Sequence, residues 1–298
     1  MTKTNKSKKK TALAEKPLRI KVIGGGYLGK QIAKALGAEL DTRMVYTVQD
    51  AQEMMYVHHD NNHLKFDVVI NAIGRTGVPN VDWCDLPENQ RDTFMSNVLV
   101  PMQIAEAAKR EGVKMVHISS GCIYDGVPES GAYTEEDVPN FETSFYSFTK
   151  KTAERAIGGY DNTLILRIRM PLGEDHGDRN LISKLLKYEE IIDTDNSITT
   201  ISELLRSLKE LIALGETGIY NIVSPEPITH RRILEIYDEV MGTEVSKSKK
   251  FIDPKALKVA TPRTNTVLSA KKLASKVTIP SVEDAVRHEL NLYKENDK

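Results

Sequence analysis

The sequence predicts an α/β fold: a parallel sheet with helices on both faces, plus a smaller C-terminal lobe. Three observations carry this. Apolar strand-length runs alternate with amphipathic helical stretches from Leu18 to Pro171, a run of glycines stands between the first strand and the first helix, and after Pro171 the alternation becomes irregular. Parallel neighbours need helical crossovers, and crossovers cover both faces of the sheet. With 298 residues, 40% hydrophobic and 28% charged, the chain has enough apolar side chain for a large core. That excludes a disulfide miniprotein and a bare recognition module.

The first strand is Ile20 to Ile23, and the helix after it, Leu28 to Leu36, is stopped by Gly37. Further strands are expected at Met44 to Val48, Asp67 to Ile73, Lys114 to Ser119 and Thr163 to Ile168, with helices at Gln103 to Arg110 and Phe145 to Ile157. Beyond Pro171 come helices near Asn180 to Lys187 and Glu203 to Leu214, then a last strand, Gly218 to Val223, which returns to the sheet. Helix Arg231 to Met241 and the segment Pro262 to Lys272 belong to the smaller lobe, at the carboxyl ends of the strands where ligands of open sheets bind.

Gly24-Gly25-Gly26-Tyr27-Leu28-Gly29 contains G-x-G-x-x-G directly between a strand and a helix, the context that marks a Rossmann-type dinucleotide site. Glycine lets the backbone approach a pyrophosphate, and the helix N-terminus offers it free N–H groups. A tight turn without a ligand is the competing reading. The residue that separates NAD from NADP is expected ~20 positions on, near Gln49 or Asp50. Asp50 suits equally well a cap of the next helix, in the spacing Asp50-Ala-Gln-Glu53, so the dinucleotide stays open. The expected organisation is a basic tail, 1–17, a dinucleotide-binding domain, 18–172 with 200–223, and a substrate lobe, 173–199 with 224–298.

Formal charge is -1, yet the first 17 residues hold six lysines against one glutamate, which leaves the remainder acidic and argues against a nucleic-acid-binding body. The tail lacks both the periodicity needed to fold and the apolar stretch of a secretory signal. No run approaches the ~18 apolar residues of a membrane span, so a cytoplasmic protein is expected. Cys84 and Cys122 make neither a disulfide framework nor a zinc pattern. His58, His59 and His63 lie in a polar stretch that reads as a solvated helix end rather than a metal cluster, and no metal is expected.

Tyr146-Ser147-Phe148-Thr149-Lys150 puts a phenol and an ammonium on one helix face. A free tyrosine has a pKa of ~10, and a neighbouring lysine favours its phenolate. The same spacing also occurs on solvated faces. Ser119-Ser120-Gly121-Cys122-Ile123-Tyr124, at the end of an earlier strand, adds a hydroxyl and a thiol over the carboxyl edge of the sheet.

These motifs, with Asn71-Ala72-Ile73-Gly74 at another strand end, resemble the extended short-chain dehydrogenase/reductases from residue 18 onward. Longer words are similar to the UDP-4-keto-6-deoxyglucose 3,5-epimerase/4-reductases of L-rhamnose synthesis, to which the dTDP-4-dehydrorhamnose reductases are related. They include Gly74-Arg-Thr-Gly-Val-Pro-Asn-Val-Asp-Trp-Cys84, Pro139-Asn-Phe141, Arg167-Ile-Arg-Met-Pro171, Arg179-Asn180 and Pro262-Arg-Thr-Asn265. The glycine turn is one residue shorter than the family's wider pattern, and Asp178 stands where a proline commonly precedes Arg-Asn.

The resemblance implies NADPH, with NADH possible, held by Gly24, Gly26, Tyr27, Leu28, Gly29, Asn71, Ala72, Gly74, Tyr146 and Lys150. It implies a UDP- or dTDP-linked 4-keto-6-deoxy sugar held by Asp82, Trp83, Asn180 and Arg263, the last as a diphosphate clamp. Cys122 would be the base and Lys184 the acid that invert C3 and C5, whose protons the C4 ketone acidifies. Ser120 would hydrogen-bond the C4 oxygen, Tyr146 would donate its proton, and Lys150 would hold the ribose.

The competing readings are a packing cysteine at 122, a solvated lysine at 184, a structural turn with a half-buried indole at Trp83 and a surface arginine at 263; Arg169 is assigned to neither phosphate nor packing. The rival functions are a 4-keto reductase without epimerase activity, and a non-catalytic NAD(P)-binding subunit such as the regulatory subunit of methionine adenosyltransferase. A homodimer pairing through Phe145 to Ile157 is expected, with no nucleic-acid or membrane partner.

Overall fold

The computed structural model describes residues 17–59, 62–78, 80–259 and 262–296, with the side chains at 57–64 outside the described part. The basic tail therefore lies almost wholly outside the described residues. Six strands form one parallel sheet: β1 (Ile20–Ile23), β2 (Glu39–Asp41), β3 (Val68–Asn71), β4 (Lys114–Ser120), β5 (Thr163–Ile168) and β6 (Gly218–Ile222). Their order across the sheet is β6-β5-β4-β3-β1-β2. Connections run one way from β1 to β2 and the other way from β3 onward. The carboxyl ends of β1 and β3 thus flank the switch point, where open α/β sheets bind ligands.

Alternation along each strand builds a core on each face. Val22, Ile70, Val116, Ile118, Leu164 and Leu166 pack with helix α1 (Tyr27–Leu36) on one side. Ile23, Val69, Met115 and Ile165 pack on the other side with α2 (Val48–Met54), α3 (Val100–Glu111) and the end of α4 (Phe145–Ile157). Helix α3 is preceded by a shorter helix, Pro87–Phe94, and joined to it by a π-helical turn, Met95–Leu99.

A third core lies beyond the carboxyl ends of the strands. There α5 (Leu181–Lys187), α7 (His230–Met241) and α8 (Val282–Glu295) pack around Leu172, Ile198 and Ile228. Helix α6 (Ile201–Ala213) returns the chain to the sheet before β6. The loop 262–266 crosses back from this lobe and bonds to both Asp125 and Asn196, which brings it over the sheet edge.

One expected strand is wrong. Residues Met44 to Val48 are not a strand; β2 is Glu39–Asp41, paired with β1 in the register Ile23↔Asp41. The reason is local: the Thr47 hydroxyl accepts from the Asp50 N–H while Asp50 accepts from the Thr47 N–H, a reciprocal cap that starts α2 there. Asp50 is accordingly the third helical residue and not the cap. The backbone at His58, His59 and His63 belongs to a hairpin, Tyr56–His59 with Asn62–Lys65, rather than to a helix end.

Candidate functional site

The glycine turn is built by close approach. Gly24 has φ 118, and a Cβ there would stand 2.8 Å from the Ile73 nitrogen; a Cβ on Gly29 would stand 1.8 Å from the Gly24 carbonyl oxygen. Gly26 differs, because a Cβ there meets nothing within 4 Å. It occupies the N-cap of α1, which has no side-chain cap, so no cap side chain takes up the first N–H groups of the helix. An open floor of uncapped N–H groups is what a dinucleotide diphosphate requires.

Other expected cofactor residues divide. The Tyr27 ring runs toward Gly173 and Asp175, where burial raises its phenol, and Leu28 packs on the core, so these two offer the cleft only backbone. Asn71 is fully buried, bonded to His117 Nδ1 at 3.1 Å and accepting from the Ile73 N–H at 3.0 Å. Its amide shapes the turn after β3 and does not face a ligand. Ala72 packs on the glycine turn, its Cβ 3.3 Å from where a Gly29 Cβ would be. Gly74 lies over Lys150, since a Cβ on it would be 3.2 Å from the lysine Nζ.

The residue that discriminates the dinucleotides was expected near Gln49 or Asp50. With β2 ending at Asp41, that place falls to Asp41-Thr42-Arg43. Thr42 packs against the glycine turn, its Cγ2 2.7 Å from a Cβ on Gly25. The Arg43 guanidinium clasps the Asp41 carboxylate through Nε at 3.0 Å and Nη2 at 2.6 Å while remaining largely exposed. Burial pushes the Asp41 carboxyl up, but the bonds from Arg43 outweigh it and hold the group ionised.

The tyrosine and the lysine are delivered by α4. Ser144 caps this helix by accepting from the Ser147 N–H at 3.1 Å, and the Ser147 hydroxyl donates to the Cys122 carbonyl at 2.7 Å, tying the helix to the loop after β4. Tyr146 and Lys150 then share the buried face of α4. Ser120 ends β4, its hydroxyl accepting from the Cys122 N–H at 3.1 Å. Burial pushes the Lys150 ammonium down to about 8, opposed by the Glu154 carboxylate.

The expected lowering of the tyrosine is not found. Burial, then the charge of Cys122, raise the Tyr146 phenol, and a hydrogen bond with Ser120 only partly offsets them. Without a cofactor Tyr146 is a neutral proton donor.

Cys122 is half-buried on the 3₁₀ turn Gly121–Ile123, and its Sγ accepts from Arg169 Nη1 at 2.7 Å. Burial raises the thiol, but the Arg169 charge and hydrogen bonds from Ser120, Thr264 and Arg169 outweigh it and bring it below the ordinary range. Lys184, on α5, is partly buried rather than on a solvated face. Burial and Arg179 lower its ammonium, while the Cys122 charge acts in the opposite sense.

Among the expected substrate residues, Arg263 makes a bidentate ion pair with Asp82, at 2.6 and 2.9 Å, between positions far apart in the chain. Trp83 is half-buried beside Gly77, and its carbonyl accepts from Asn89 at 3.0 Å. Asn180 is a correction: it is fully buried, and its amide is consumed by Gly173 N at 3.0 Å, Ile182 N at 3.4 Å, and the carbonyls of Gly173 and Asp175. It caps α5 and closes the preceding loop, with no polar atom left for a sugar.

Four residues of the site were not singled out for their roles: Arg43, Asn97, Arg169 and Thr264. Asn97, in the π-helical turn, is fully buried; it donates to the Arg75 carbonyl at 3.0 Å and Thr149 Oγ1 at 3.1 Å, and accepts from the Arg75 N–H at 2.7 Å. Among the described residues, no group of His, Cys, Asp and Glu is arranged to hold a metal, and no helix is long and apolar enough to cross a membrane.

The profile of the RmlD substrate binding domain matches residues 19–198. A bifunctional dTDP-4-dehydrorhamnose 3,5-epimerase/dTDP-4-dehydrorhamnose reductase from Arabidopsis thaliana is 35% identical over 260 residues, covering 84% of this chain and 82% of that protein. A trifunctional UDP-glucose 4,6-dehydratase/UDP-4-keto-6-deoxy-D-glucose 3,5-epimerase/UDP-4-keto-L-rhamnose-reductase from the same plant is 35% identical over 211 residues, 69% of this chain but only 31% of that protein. Among solved structures, a UDP-rhamnose synthase from Acanthamoeba polyphaga mimivirus has a TM-score of 0.81 at 22% identity, covering 92% of this chain and 99% of that one, a likeness of fold.

Proposed function

The chain belongs to the RmlD substrate binding domain family, and from that premise we propose that it is a nucleotide-sugar 3,5-epimerase/4-reductase. It would convert a UDP- or dTDP-linked 4-keto-6-deoxyglucose to the L-rhamnose nucleotide, using NADPH or NADH. The observation that carries the reading is a cysteine sulfur held against a guanidinium in the same cleft as a neutral tyrosine and a buried lysine. Reduction alone needs the tyrosine, the lysine and Ser120; a thiol whose ionisation is favoured by Arg169 has a use when a carbon acid is also to be deprotonated.

In this reading Cys122 thiolate takes the proton from C3 and then, in a second round, from C5, leaving an enolate on the C4 oxygen each time; between rounds the thiol gives its proton to solvent and the Lys184 amine regains one from it. Ser120 and Tyr146 hydrogen-bond that oxygen, and Lys184 returns a proton to the opposite face. The dinucleotide, when bound at Gly24, Gly26, Gly29, Gly74 and Lys150, supplies the hydride for C4. Tyr146, neutral beforehand, gives its proton to the oxygen as the alcohol forms. Arg263 would leave Asp82 to take the diphosphate of the substrate, and the lobe of 173–199 and 224–298 would close over the sugar. The reading extends to a cytoplasmic homodimer.

The test is turnover of an unepimerised 4-keto-6-deoxyglucose nucleotide in deuterium oxide. The product should carry deuterium at C3 and C5, and Cys122→Ala should abolish that label while still reducing a pre-epimerised ketone. Unlabelled product from the parent enzyme would leave a reductase alone.

A further inference from the structure

Arg169 is a buried cation without a carboxylate. It is 3% exposed, yet no Asp or Glu stands within ion-pairing distance of it among the described residues. Arg167, two positions earlier, shows the ordinary arrangement: its guanidinium bonds the equally buried Glu154, with Nη2 at 2.8 Å. For Arg169 the partners are Cys122 Sγ at 2.7 Å, Thr264 Oγ1 at 2.8 Å, Asn196 Oδ1 at 2.9 Å and the Thr264 carbonyl. Only the sulfur can become an anion.

The backbone is bent next to this contact. Met170, with φ 42, is the only non-glycine residue with positive φ among the described residues, and Pro171 follows it. The strained corner is clamped on its near side: the Arg169 N–H donates to Thr199 Oγ1 at 2.8 Å, and the Arg169 carbonyl accepts from the Thr199 N–H at 2.7 Å. Thr264 and Asn196 then fix the plane of the guanidinium.

Other charged or titratable groups lie around this contact without replacing it. Tyr146 and Lys150 on α4 and Lys184 on α5 sense the Cys122 charge, Tyr146 and Lys150 also sense Cys84, Lys184 senses Arg179, and His230 on α7 senses Arg169. Burial keeps Tyr146 and His230 neutral and lowers both lysines, Lys150 to about 8. A guanidinium keeps its charge at every working pH.

We propose that Arg169, oriented by Thr264 and Asn196, is a positioning residue that supplies the counter-charge for a Cys122 thiolate formed before any substrate arrives. The use of that thiolate as a carbon base rests on the function proposed above; its existence does not, and can be measured alone. The rate at which iodoacetamide alkylates Cys122 in the full chain, followed against pH by mass spectrometry of the peptide, reports the ionisation and separates it from Cys84.

The parent should titrate below an ordinary thiol. Arg169→Met should shift the midpoint upward and slow alkylation at neutral pH by about tenfold or more, with Arg169→Lys recovering part of the loss. Thr264→Val, which leaves the arginine in place and loosens it, should shift the midpoint in the same direction by less, and it serves if Arg169→Met does not fold. The pH profile of deuterium exchange should move alkaline in step. An unchanged midpoint in Arg169→Met, or in Thr264→Val where only that variant folds, overturns the proposal. If the midpoint moves but Cys122→Ala still labels the sugar, the role of Cys122 as the carbon base falls and the counter-charge stands.

Discussion

Replacing Lys150 with methionine should make the cofactor-free protein more stable while abolishing reduction. The side chain is 4% exposed, with one long hydrogen bond, 3.4 Å, to the Ile118 carbonyl. Burial moves its ammonium from 10.5 to about 8 against the pull of Glu154. At pH 7 the lysine is charged both folded and unfolded, so this displacement corresponds to about 3 kcal/mol by which the charge disfavours the fold. Methionine keeps the length of the chain and removes the charge. Between about pH 8 and 10.5 the unfolded chain holds a proton that the folded one has released, so parent stability rises with pH through that window. The gain of Lys150→Met should therefore be about 2–3 kcal/mol at pH 7 and under about 1 kcal/mol at pH 10. Urea unfolding at the two pH values, without nucleotide, measures it. No gain at pH 7, or an equal gain at both, would refute the reasoning.

Two other substitutions probe the glycine turn and its neighbour. Arg43→Ser removes the exposed guanidinium beside the turn and should raise the KM for NADPH about 10- to 100-fold, the worth of a charge-assisted hydrogen bond, while that for NADH changes little. Gly29→Ala should gain up to about 1 kcal/mol from helix propensity alone. Its Cβ would nevertheless stand 1.8 Å from the Gly24 carbonyl oxygen, so net destabilisation of about 1–3 kcal/mol is expected, and NADPH, which should raise the Tm of the parent, should leave that of the variant unmoved.

Where a segment carries both a cap and a period, the sequence places the helix to within one to three residues, as at Ile201–Ala213 and His230–Met241, expected from Glu203 to Leu214 and from Arg231 to Met241. Helix Phe145–Ile157 has Ser144 before it and its apolar face every third or fourth position, and it was read at both ends. Strand β2 was not, because three residues have no period to detect, and Met44 to Val48 offered a longer apolar run that only the cap at Thr47 excludes. The site behaved alike. Ser120, Tyr146 and Lys150 stand in recognisable spacings, and Cys122 bonds with Ser120 while its charge acts on Tyr146, Lys150 and Lys184. Asn180 was expected at the substrate through the resemblance alone, and a one-letter match does not tell a ligand from a buried cap. The direction of the Tyr146 shift depends on desolvation, which spacing does not reveal. Arg169 was visible, but its partner Thr264 lies 95 positions away.

The wide turn at Met95–Leu99 amounts to one surplus residue in an otherwise regular rod. Deleting a position there would run Pro87–Phe94 straight into α3 and leave Pro101, which has no N–H to donate, inside the continued helix. It would also swing everything upstream about 100° around the axis. Asn97 would then lose Arg75 and Thr149 together, and the chain beside Gly74 would lose the fastening that holds it above Lys150. The irregularity acts as a spacer whose length is tuned to a neighbour in another layer, so an edit that removes it would dismantle the floor of the cleft.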